Sequence, residues 1–268
     1  MDTKRDFVTV SELASGFDEY ALPQSEDFKG KTMTLNLENG PSFQFQFISE
    51  RALILAEDDL TPIAAMYTLV APRDGVYYLN CVVSYGDTRV VTAVIDADRQ
   101  IATVSIGNLP TREEAMVPQL TRGEKNMPLT SARAVFFPAA MDRPFSPDTP
   151  RHEKTSELVG HRIRFTYSAN DEYEHIYLTD KSFVWHCLRG IEAGLADTEL
   201  CHYYKIADKL IWFTWCERVV PTIGSVLEDF SAMRSYGSLF GYEDYSCGRV
   251  KNVLAGSYAS IYSPEIDT

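Results

Sequence analysis

Apolar and polar residues alternate along much of the chain, which is the period of β-strands. The clearest case joins residues 32–37 and 42–47 across an Asn39-Gly40 dipeptide. Alternation on both sides of Asn-Gly is a strong signal for a β-hairpin. Helical periodicity is scarce, and residues 10–14 are expected to form one short capped turn. Further strand-like runs cover residues 75–84, 89–95 and 101–106.

The second half of the chain repeats the plan of the first. Three segments correspond at similar spacing: 30–35 with 160–165, 74–79 with 208–213, and 101–107 with 233–241. Runs of short antiparallel strands leave exposed edges unless they close into barrels. We therefore predict an all-β protein with two lipocalin-like antiparallel β-barrel units that arose by internal duplication. Chance similarity between two β-meanders is the alternative.

A proline-rich connector separates the two units. Residues 108–157 hold seven of the 13 prolines of the chain. Proline removes a backbone donor and interrupts β-ladders, so this stretch is expected to pack on the surface. Within it, residues 131–137 are expected to add one strand to the first unit. The predicted domains are 1–150, the first barrel with the connector, and 151–268, the second barrel with the candidate pocket.

Composition and charge limit the partners of the protein. The chain has 268 residues and a net charge of −13, which argues against binding to nucleic acid or to anionic membrane surfaces. It lacks the apolar stretch of about 18 residues that a membrane helix needs, and its beginning lacks a signal-peptide pattern. Five cysteines without a C-x-x-C pair suit reduced thiols. A cytoplasmic protein is expected, and a homodimer is compatible with the sequence.

The histidine and tryptophan residues are concentrated in the second half of the chain. All five histidines and all three tryptophans follow residue 150. Aromatic rings that line a barrel form an apolar cavity with a few polar groups, which is typical of a small-molecule pocket. The alternative is that these rings only fill the core. Alternation places each of three sets of side chains on one face: Ile163, Phe165 and Tyr167, which charged residues on the opposite face mark as interior; Tyr173, His175 and Tyr177; and Phe213, Trp215 and Glu217.

Glu217 is the candidate acid of this pocket. On an interior face it would lie beneath aromatic rings, where burial raises the pKa of a carboxyl group and keeps it protonated near neutral pH. A protonated carboxyl group is suited to act as a general acid. A structural salt bridge of Glu217 with Arg218 or Arg189 is the alternative.

The sequence motifs predict no cofactor and no metal. The chain has no H-E-x-x-H, Walker, G-x-S-x-G or dinucleotide-binding pattern. His175, His186 and His202 could converge, but their spacing matches no metal-ligand pattern, and core or rim positions are expected. Cys187 and Cys216 neighbour aromatic residues and are expected to be core thiols.

Several segments resemble the MoaF family. In the second half these are Glu157 to Ser168, Tyr173 to Tyr177, Trp185 to Gly190, Gly194 to Thr198, Cys201 to Ala207 and Gly237 to Tyr242. The segments Asp6 to Val10 and Pro72 to Tyr78 look like the N-terminal domain of that family. The resemblance covers nearly the whole chain, and the family name implies an accessory role in molybdenum cofactor biosynthesis.

The second half also resembles, more distantly, the phenolic acid decarboxylases, which are cofactor-free lyases on a lipocalin-like barrel. The resemblance places Tyr167 and Tyr173 at the substrate-binding tyrosines and Glu217, in Trp215-Cys-Glu217, at the catalytic acid. Phe165 stands where that family has another tyrosine, and Leu195 where it has an arginine that holds the substrate carboxylate. The decarboxylase activity itself is therefore not expected.

The predicted function is a cofactor-independent lyase or isomerase that acts on a small aromatic or unsaturated molecule. Glu217, Tyr167 and Tyr173 are the predicted catalytic residues, with Glu217 as acid or base and the tyrosines as hydrogen-bond donors. The predicted substrate-binding residues are Phe165, His175, Trp185, Cys187, Trp215 and Leu239. The alternatives are a non-catalytic small-molecule binding protein and the accessory role that the family name implies.

Overall fold

The chain folds almost entirely into antiparallel β-strands in a computed structural model, which describes residues 6–262. Its helices there are short: α1 (Val10–Leu13), α2 (Arg112–Ala115) and α3 (Gln119–Glu124). The short turn predicted for residues 10–14 is confirmed as α1. The Glu12 carboxylate accepts a hydrogen bond from the backbone N–H of Thr9 at 2.9 Å, which caps the start of this helix.

Eight strands form the first barrel, in which each strand pairs with the next and β8 pairs with β1. The predicted hairpin is confirmed as β1 and β2. Asn39 adopts a φ of +53° in the turn between them, a conformation that asparagine tolerates well. The strands are β1 (Thr32–Leu37), β2 (Ser42–Phe47), β3 (Ala52–Glu57), β4 (Ile63–Arg73), β5 (Val76–Ser84), β6 (Thr88–Asp96), β7 (Ile101–Asn108) and β8 (Arg133–Met141).

The second barrel has the same plan. Strands β10 to β17 pair in sequence order, β17 returns to β10, and the short β9 follows β13 in the sheet. The strands are β9 (Glu153–Lys154), β10 (Arg162–Thr166), β11 (Glu172–Tyr177), β12 (Ser182–Arg189), β13 (Ala196–Ala207), β14 (Leu210–Cys216), β15 (Thr222–Asp229), β16 (Arg234–Tyr242) and β17 (Val250–Ile261).

Irregular backbone positions recur at equivalent places in the two barrels. Gly30 before β1 and Gly160 before β10 have φ values of +75° and +87°. Gln100 before β7 and Met233 before β16 have φ values of +53° and +51°. Side chains other than glycine rarely adopt such angles, so shared outliers at shared positions argue against chance similarity. The prediction of an all-β protein with two antiparallel β-barrel units is confirmed, and the shared irregular positions favour internal duplication over chance similarity.

The interiors of the two barrels differ in chemistry. Phe43, Phe45 and Phe47 on β2 point into a first core that is almost wholly aliphatic and phenylalanine-rich. The second core contains tyrosine, tryptophan and cysteine side chains, together with buried Glu228 and His175. The first interior also has a buried carboxyl group, that of Glu57, but Arg89 pairs with it, whereas the second interior combines apolar walls with several titratable groups.

The compact units do not follow the predicted boundary at residue 150. Val10 and Phe17 belong to the apolar core of the second barrel, and Tyr242 of β16 donates a hydrogen bond to the Pro110 carbonyl. These contacts assign the beginning of the described chain and much of the connector to the second unit. The first unit contains residues 22–108 and 134–153, and the second contains 6–21, 109–133 and 154–262.

Two further features concern the part of the chain that the structure describes. None of the helices in residues 6–262 has the length and hydropathy to cross a membrane. All five cysteines are unpaired, and four of them are buried.

The β15–β16 ladder depends on the absence of a side chain at Gly237. A Cβ atom at that position would lie 1.9 Å from the Ser225 carbonyl oxygen and 2.7 Å from Val226 Cα. Backbone atoms of a paired strand cannot yield without breaking the ladder. We expect Gly237→Ala to lower the free energy of unfolding by about 3 kcal/mol, measured by urea denaturation.

Gly123 in α3 provides the control, since a Cβ atom there meets no atom within 4 Å. Gly123→Ala should leave the urea midpoint unchanged or raise it slightly, because alanine favours helix. Equal midpoints for the two variants would contradict this account of Gly237.

Candidate functional site

A small cavity lies inside the second barrel. Its volume is about 30 Å³, which is room for water and not for an aromatic ligand. The lining residues are Leu13, Phe17, Tyr167, Tyr173, His175, Trp185, Glu192, Trp215, Glu217 and Leu239. Seven of the nine predicted site residues are among them. The structure therefore brings Tyr167, Tyr173, Trp215 and Glu217 together around one hollow.

Two predicted site residues lie elsewhere. Phe165 and Cys187 are fully buried in the core of the second barrel and are not among the lining residues. The Phe165 ring packs against the His175 ring with 4.8 Å between centroids, so it supports a lining residue from behind. The burial pattern of β10 and β12 is as predicted, but an interior position alone does not bring a side chain to the cavity.

Residues 6–21, here called the cap segment, close the cavity from one side. The Phe17 ring stacks on the Tyr167 ring with 4.3 Å between centroids and an interplanar angle of 22°. The Phe17 carbonyl accepts a hydrogen bond of 2.9 Å from the Gly256 N–H on β17. Phe17 and Leu13 therefore occupy space that would otherwise belong to the cavity.

Two glycines of the barrel admit the cap segment. A Cβ atom at Gly256 would lie 2.4 Å from backbone atoms of Tyr20 and Ala21, and one at Gly241 would lie 2.4 Å from a Val10 methyl group. Any other residue would push the segment away from β16 and β17. The close contact between the cap segment and the barrel therefore depends on these two barrel glycines as well as on the residues of the segment.

Glu217 follows the last residue of β14 and turns its carboxyl group towards the cavity. Trp215, two residues earlier on the same face, donates its indole N–H to Glu217 Oε1 at 3.0 Å. Burial raises the pKa of Glu217 to about 8; the Trp215 hydrogen bond opposes this rise, and the charges of Glu192 and Asp197 add to it. At neutral pH the carboxyl group is therefore mostly protonated and can donate a proton.

The salt-bridge alternative for Glu217 is wrong. Arg218 contacts Asp197 at 2.7 Å and Glu199 at 3.3 Å. Arg189 contacts Glu172 at 3.4 Å. Because both arginines have other carboxylate partners, neither neutralises Glu217, which is why burial dominates its pKa.

Glu192 is a lining residue that the sequence analysis missed. It lies in the loop between β12 and β13, where no alternation marks a face. Its carboxyl group accepts hydrogen bonds from the Tyr173 hydroxyl at 3.0 Å and from the Val8 N–H at 3.2 Å. Burial raises the pKa of Glu192, and these two hydrogen bonds oppose the rise. Glu192 thereby ties the cap segment to the cavity wall.

The two predicted catalytic tyrosines differ in the contacts that a ligand would have to replace. Burial raises the pKa of both Tyr167 and Tyr173, so both hydroxyls stay protonated. The Tyr173 hydroxyl already donates to Glu192, whereas Tyr167 is covered by the Phe17 ring. A ligand that replaced Phe17 would meet Tyr167 first.

The tryptophan walls are positioned by packing. A Cβ atom at Gly224 on β15 would lie 2.1 Å from the Trp215 ring, so glycine is required beside this indole. The indole nitrogen of Trp185 is buried and has no hydrogen-bond partner. An unpaired buried donor is costly and marks a position where a ligand oxygen would be favoured.

His175 connects the cavity to a buried polar chain. Its ring is surrounded by Phe165, Phe183, Phe213 and Trp215 at centroid distances of 4.8 to 5.7 Å. The other two histidines of the predicted group do not line the cavity. His186 contacts Glu174 on the exposed side of β12. Burial lowers the pKa of His202 to about 4. Residues 6–262 contain no group of three or more His, Cys, Asp or Glu side chains arranged to hold a metal ion.

The raised pKa of Glu217 predicts a fluorescence titration. Because its carboxyl group accepts the Trp215 N–H, ionisation changes the environment of that indole. We expect tryptophan emission to change with a midpoint near pH 8 in the wild-type protein and to lose this transition in Glu217→Gln. Exposed Glu157→Gln is the control and should retain the transition.

The raised pKa of Glu217 also predicts that the stability of the wild-type protein falls as the pH rises. The pKa of Glu217 rises from 4.5 to about 8 on folding, so ionisation costs stability as the pH rises between these values. Glu217→Gln should therefore gain in free energy of unfolding over the wild type as the pH increases from 5 to 8. A constant difference across this range would contradict the burial of the carboxyl group.

Comparison with known proteins gives consistent results over the whole chain. A family model described as the MoaF C-terminal domain matches residues 152–264, and one described as the MoaF N-terminal domain matches residues 5–111. Protein MoaF of Klebsiella aerogenes is 31% identical over 266 residues, which is 97% of each chain.

A solved structure was also matched. It is a candidate beta-lactamase from Burkholderia vietnamiensis, with 13% identity and a TM-score of 0.33 over 41% of this chain and 99% of that one. A TM-score this low supports no inference about fold or activity.

Proposed function

Since the chain belongs to the MoaF family and its second barrel holds an acid among aromatic rings, we propose that this barrel binds a small aromatic or unsaturated molecule and catalyses proton transfer on it. The reaction is a cofactor-independent elimination or isomerisation. Glu217 is the acid or base, Tyr167 donates a hydrogen bond to a substrate oxygen, and Trp185 and Trp215 form the walls.

One observation carries this proposal: the Glu217 carboxyl group lies beside the cavity and forms no ion pair with any lysine, arginine or histidine in residues 6–262. A group whose pKa is about 8 can both give and take a proton at neutral pH. A purely structural role would not require a half-buried acid here, since an apolar residue of similar size would avoid the cost of its ionisation.

The lining also indicates the kind of ligand. Among the described residues it contains two carboxyl groups, those of Glu192 and Glu217, and no lysine or arginine. Leu195, at the position of the carboxylate-binding arginine of the decarboxylases, packs against the apolar core. A carboxylate ligand would remain unpaired in this site, so an uncharged molecule is favoured.

Entry of such a ligand requires movement of the cap segment. A cavity of about 30 Å³ cannot hold an aromatic ring, while the Phe17 ring occupies a stacked position on Tyr167. We propose that the ligand ring takes the place of Phe17. The hydrogen bonds to Glu192 and Gly256 are then the contacts that hold the closed state.

A non-catalytic binding protein is the second candidate, favoured by the dense packing of rings around His175 and by the closed cavity. In that case Glu217 only orients the ligand. An accessory role in molybdenum cofactor biosynthesis, which the family name implies, would instead appear as a loss of molybdoenzyme activity when the gene is deleted.

Removal of the Phe17 ring tests the ligand position. We expect Phe17→Ala to bind 4-vinylphenol at least 10-fold more tightly than the wild type, since the ring of the probe fills the vacated space on Tyr167. Quenching of tryptophan emission measures the affinity. Phe43→Ala, which removes a buried ring from the first barrel, is the matched control and should not gain affinity.

Substitution of the acid separates the two candidates. Glu217→Gln should reduce turnover of aromatic and unsaturated carbonyl compounds by roughly 100-fold or more, with affinity within a few-fold of the wild type. Product formation is followed by NMR, with Glu157→Gln as the control. Turnover that survives in Glu217→Gln would refute the catalytic role, and binding without any turnover would favour the carrier.

A further inference from the structure

A buried polar chain runs from the cavity into the core of the second barrel. The Tyr177 hydroxyl on β11 donates to Glu228 Oε1 on β15 at 2.6 Å. The Nδ1 atom of His175 lies 3.4 Å from the same hydroxyl and 3.8 Å from Glu228 Oε1. His175 itself lines the cavity.

Glu228 has no evident structural reason to be a glutamate. Its residue is 0% exposed, and its second carboxyl oxygen is buried without a hydrogen-bond partner. A carboxyl group in an apolar core is costly unless it is fully paired, and a leucine or phenylalanine would pack there without that cost. A group retained against this cost is a candidate for function.

The direction of the hydrogen bonds assigns the tautomer of His175. A hydroxyl has one proton, and that of Tyr177 is given to Glu228. Towards His175 the hydroxyl oxygen can therefore only accept, which points to a proton on Nδ1. The other ring nitrogen, Nε2, then has a free lone pair, and aromatic rings from β10, β12 and β14 cover the rest of the imidazole.

We propose, resting on the function proposed above, that His175 is the general base of this site, that Glu228 and Tyr177 position it, and that the substrate is an uncharged carbonyl compound with a removable proton beside the carbonyl group. In this arrangement different residues of one cavity take the proton and stabilise the carbonyl oxygen. His175 takes the proton, while the Glu217 carboxyl group and the unpaired Trp185 N–H donate hydrogen bonds to the carbonyl oxygen.

The step balances without a co-reactant. Nε2 takes a proton from the carbon beside the carbonyl group, and the electron pair of that C–H bond moves to give an enolate oxygen. Neutral donors stabilise this oxygen, and Glu228 stabilises the imidazolium through Tyr177. The imidazolium then returns the proton, either to the same carbon or to the far end of a conjugated double bond, which completes an isomerisation.

The tautomer is tested without reference to activity. In full-length protein labelled with ¹⁵N-histidine, long-range ¹H–¹⁵N NMR should show a proton on Nδ1 of His175 and none on Nε2. Tyr177→Phe removes the acceptor and should abolish this preference. Tyr203→Phe is the matched control: it also removes a buried hydroxyl, one bonded to Cys201, and should leave His175 unchanged.

Base catalysis is tested by isotope exchange with 1-phenylpropan-2-one, which carries one aromatic ring and a carbonyl group. We expect the protein in D₂O to catalyse deuterium incorporation beside the carbonyl group, His175→Gln to reduce the rate at least 100-fold, and Tyr203→Phe to retain it. Glu228→Gln should reduce the rate about 10-fold and Glu228→Asp should restore part of it, since Glu228 acts through the imidazole.

The outcomes distinguish this inference from the function on which it rests. A His175 that carries a proton on Nε2 overturns the assignment of the base on the unaltered chain. Exchange or other turnover that depends on Glu217 and persists in His175→Gln overturns the inference and leaves the proposed function intact. No exchange by wild type or Phe17→Ala, with Nδ1 protonated, overturns both the carbonyl substrate class and the catalytic function.

Discussion

Closure of the antiparallel ladder is the constraint from which the rest of the structure follows. In each unit the eighth strand returns to the first, so no edge remains unpaired around the ring and every second side chain must point inwards. A closed interior excludes water, and any polar side chain on an inward position is desolvated. The raised pKa of Glu217 and the burial of His175 and Glu228 are consequences of this geometry.

Much of the fold follows from local sequence. The alternation around Asn39-Gly40 specifies a hairpin whose bounds the structure reproduces, and the glycines at 30 and 160 mark equivalent turns. Strands β3 and β4 were not predicted, because Leu53 to Leu55 is a continuous apolar run in which inward and outward residues look alike. The alternation of β10, β11 and β14 was enough to place Tyr167, Tyr173 and Trp215 inside.

The rest of the site depends on contacts that no local pattern shows. Glu192 reaches the cavity from a loop, and Phe17 reaches it from a segment about 150 residues away from Tyr167 in sequence. Glu228 lies on a strand whose residues are all buried, so periodicity does not distinguish its face. Only the pairing of β15 with β14 and the turn of the cap segment bring these side chains to one place.

The cap segment also bears on how the protein is made. Residues 6–21 precede β1, whereas the glycines that admit them, Gly241 and Gly256, lie on β16 and β17. The apolar side chains of Val10 and Phe17 therefore reach their final packing only after β16 and β17 have left the ribosome. A nascent chain that stalls in β15 would still lack the two strands that carry Gly241 and Gly256, against which the cap segment packs.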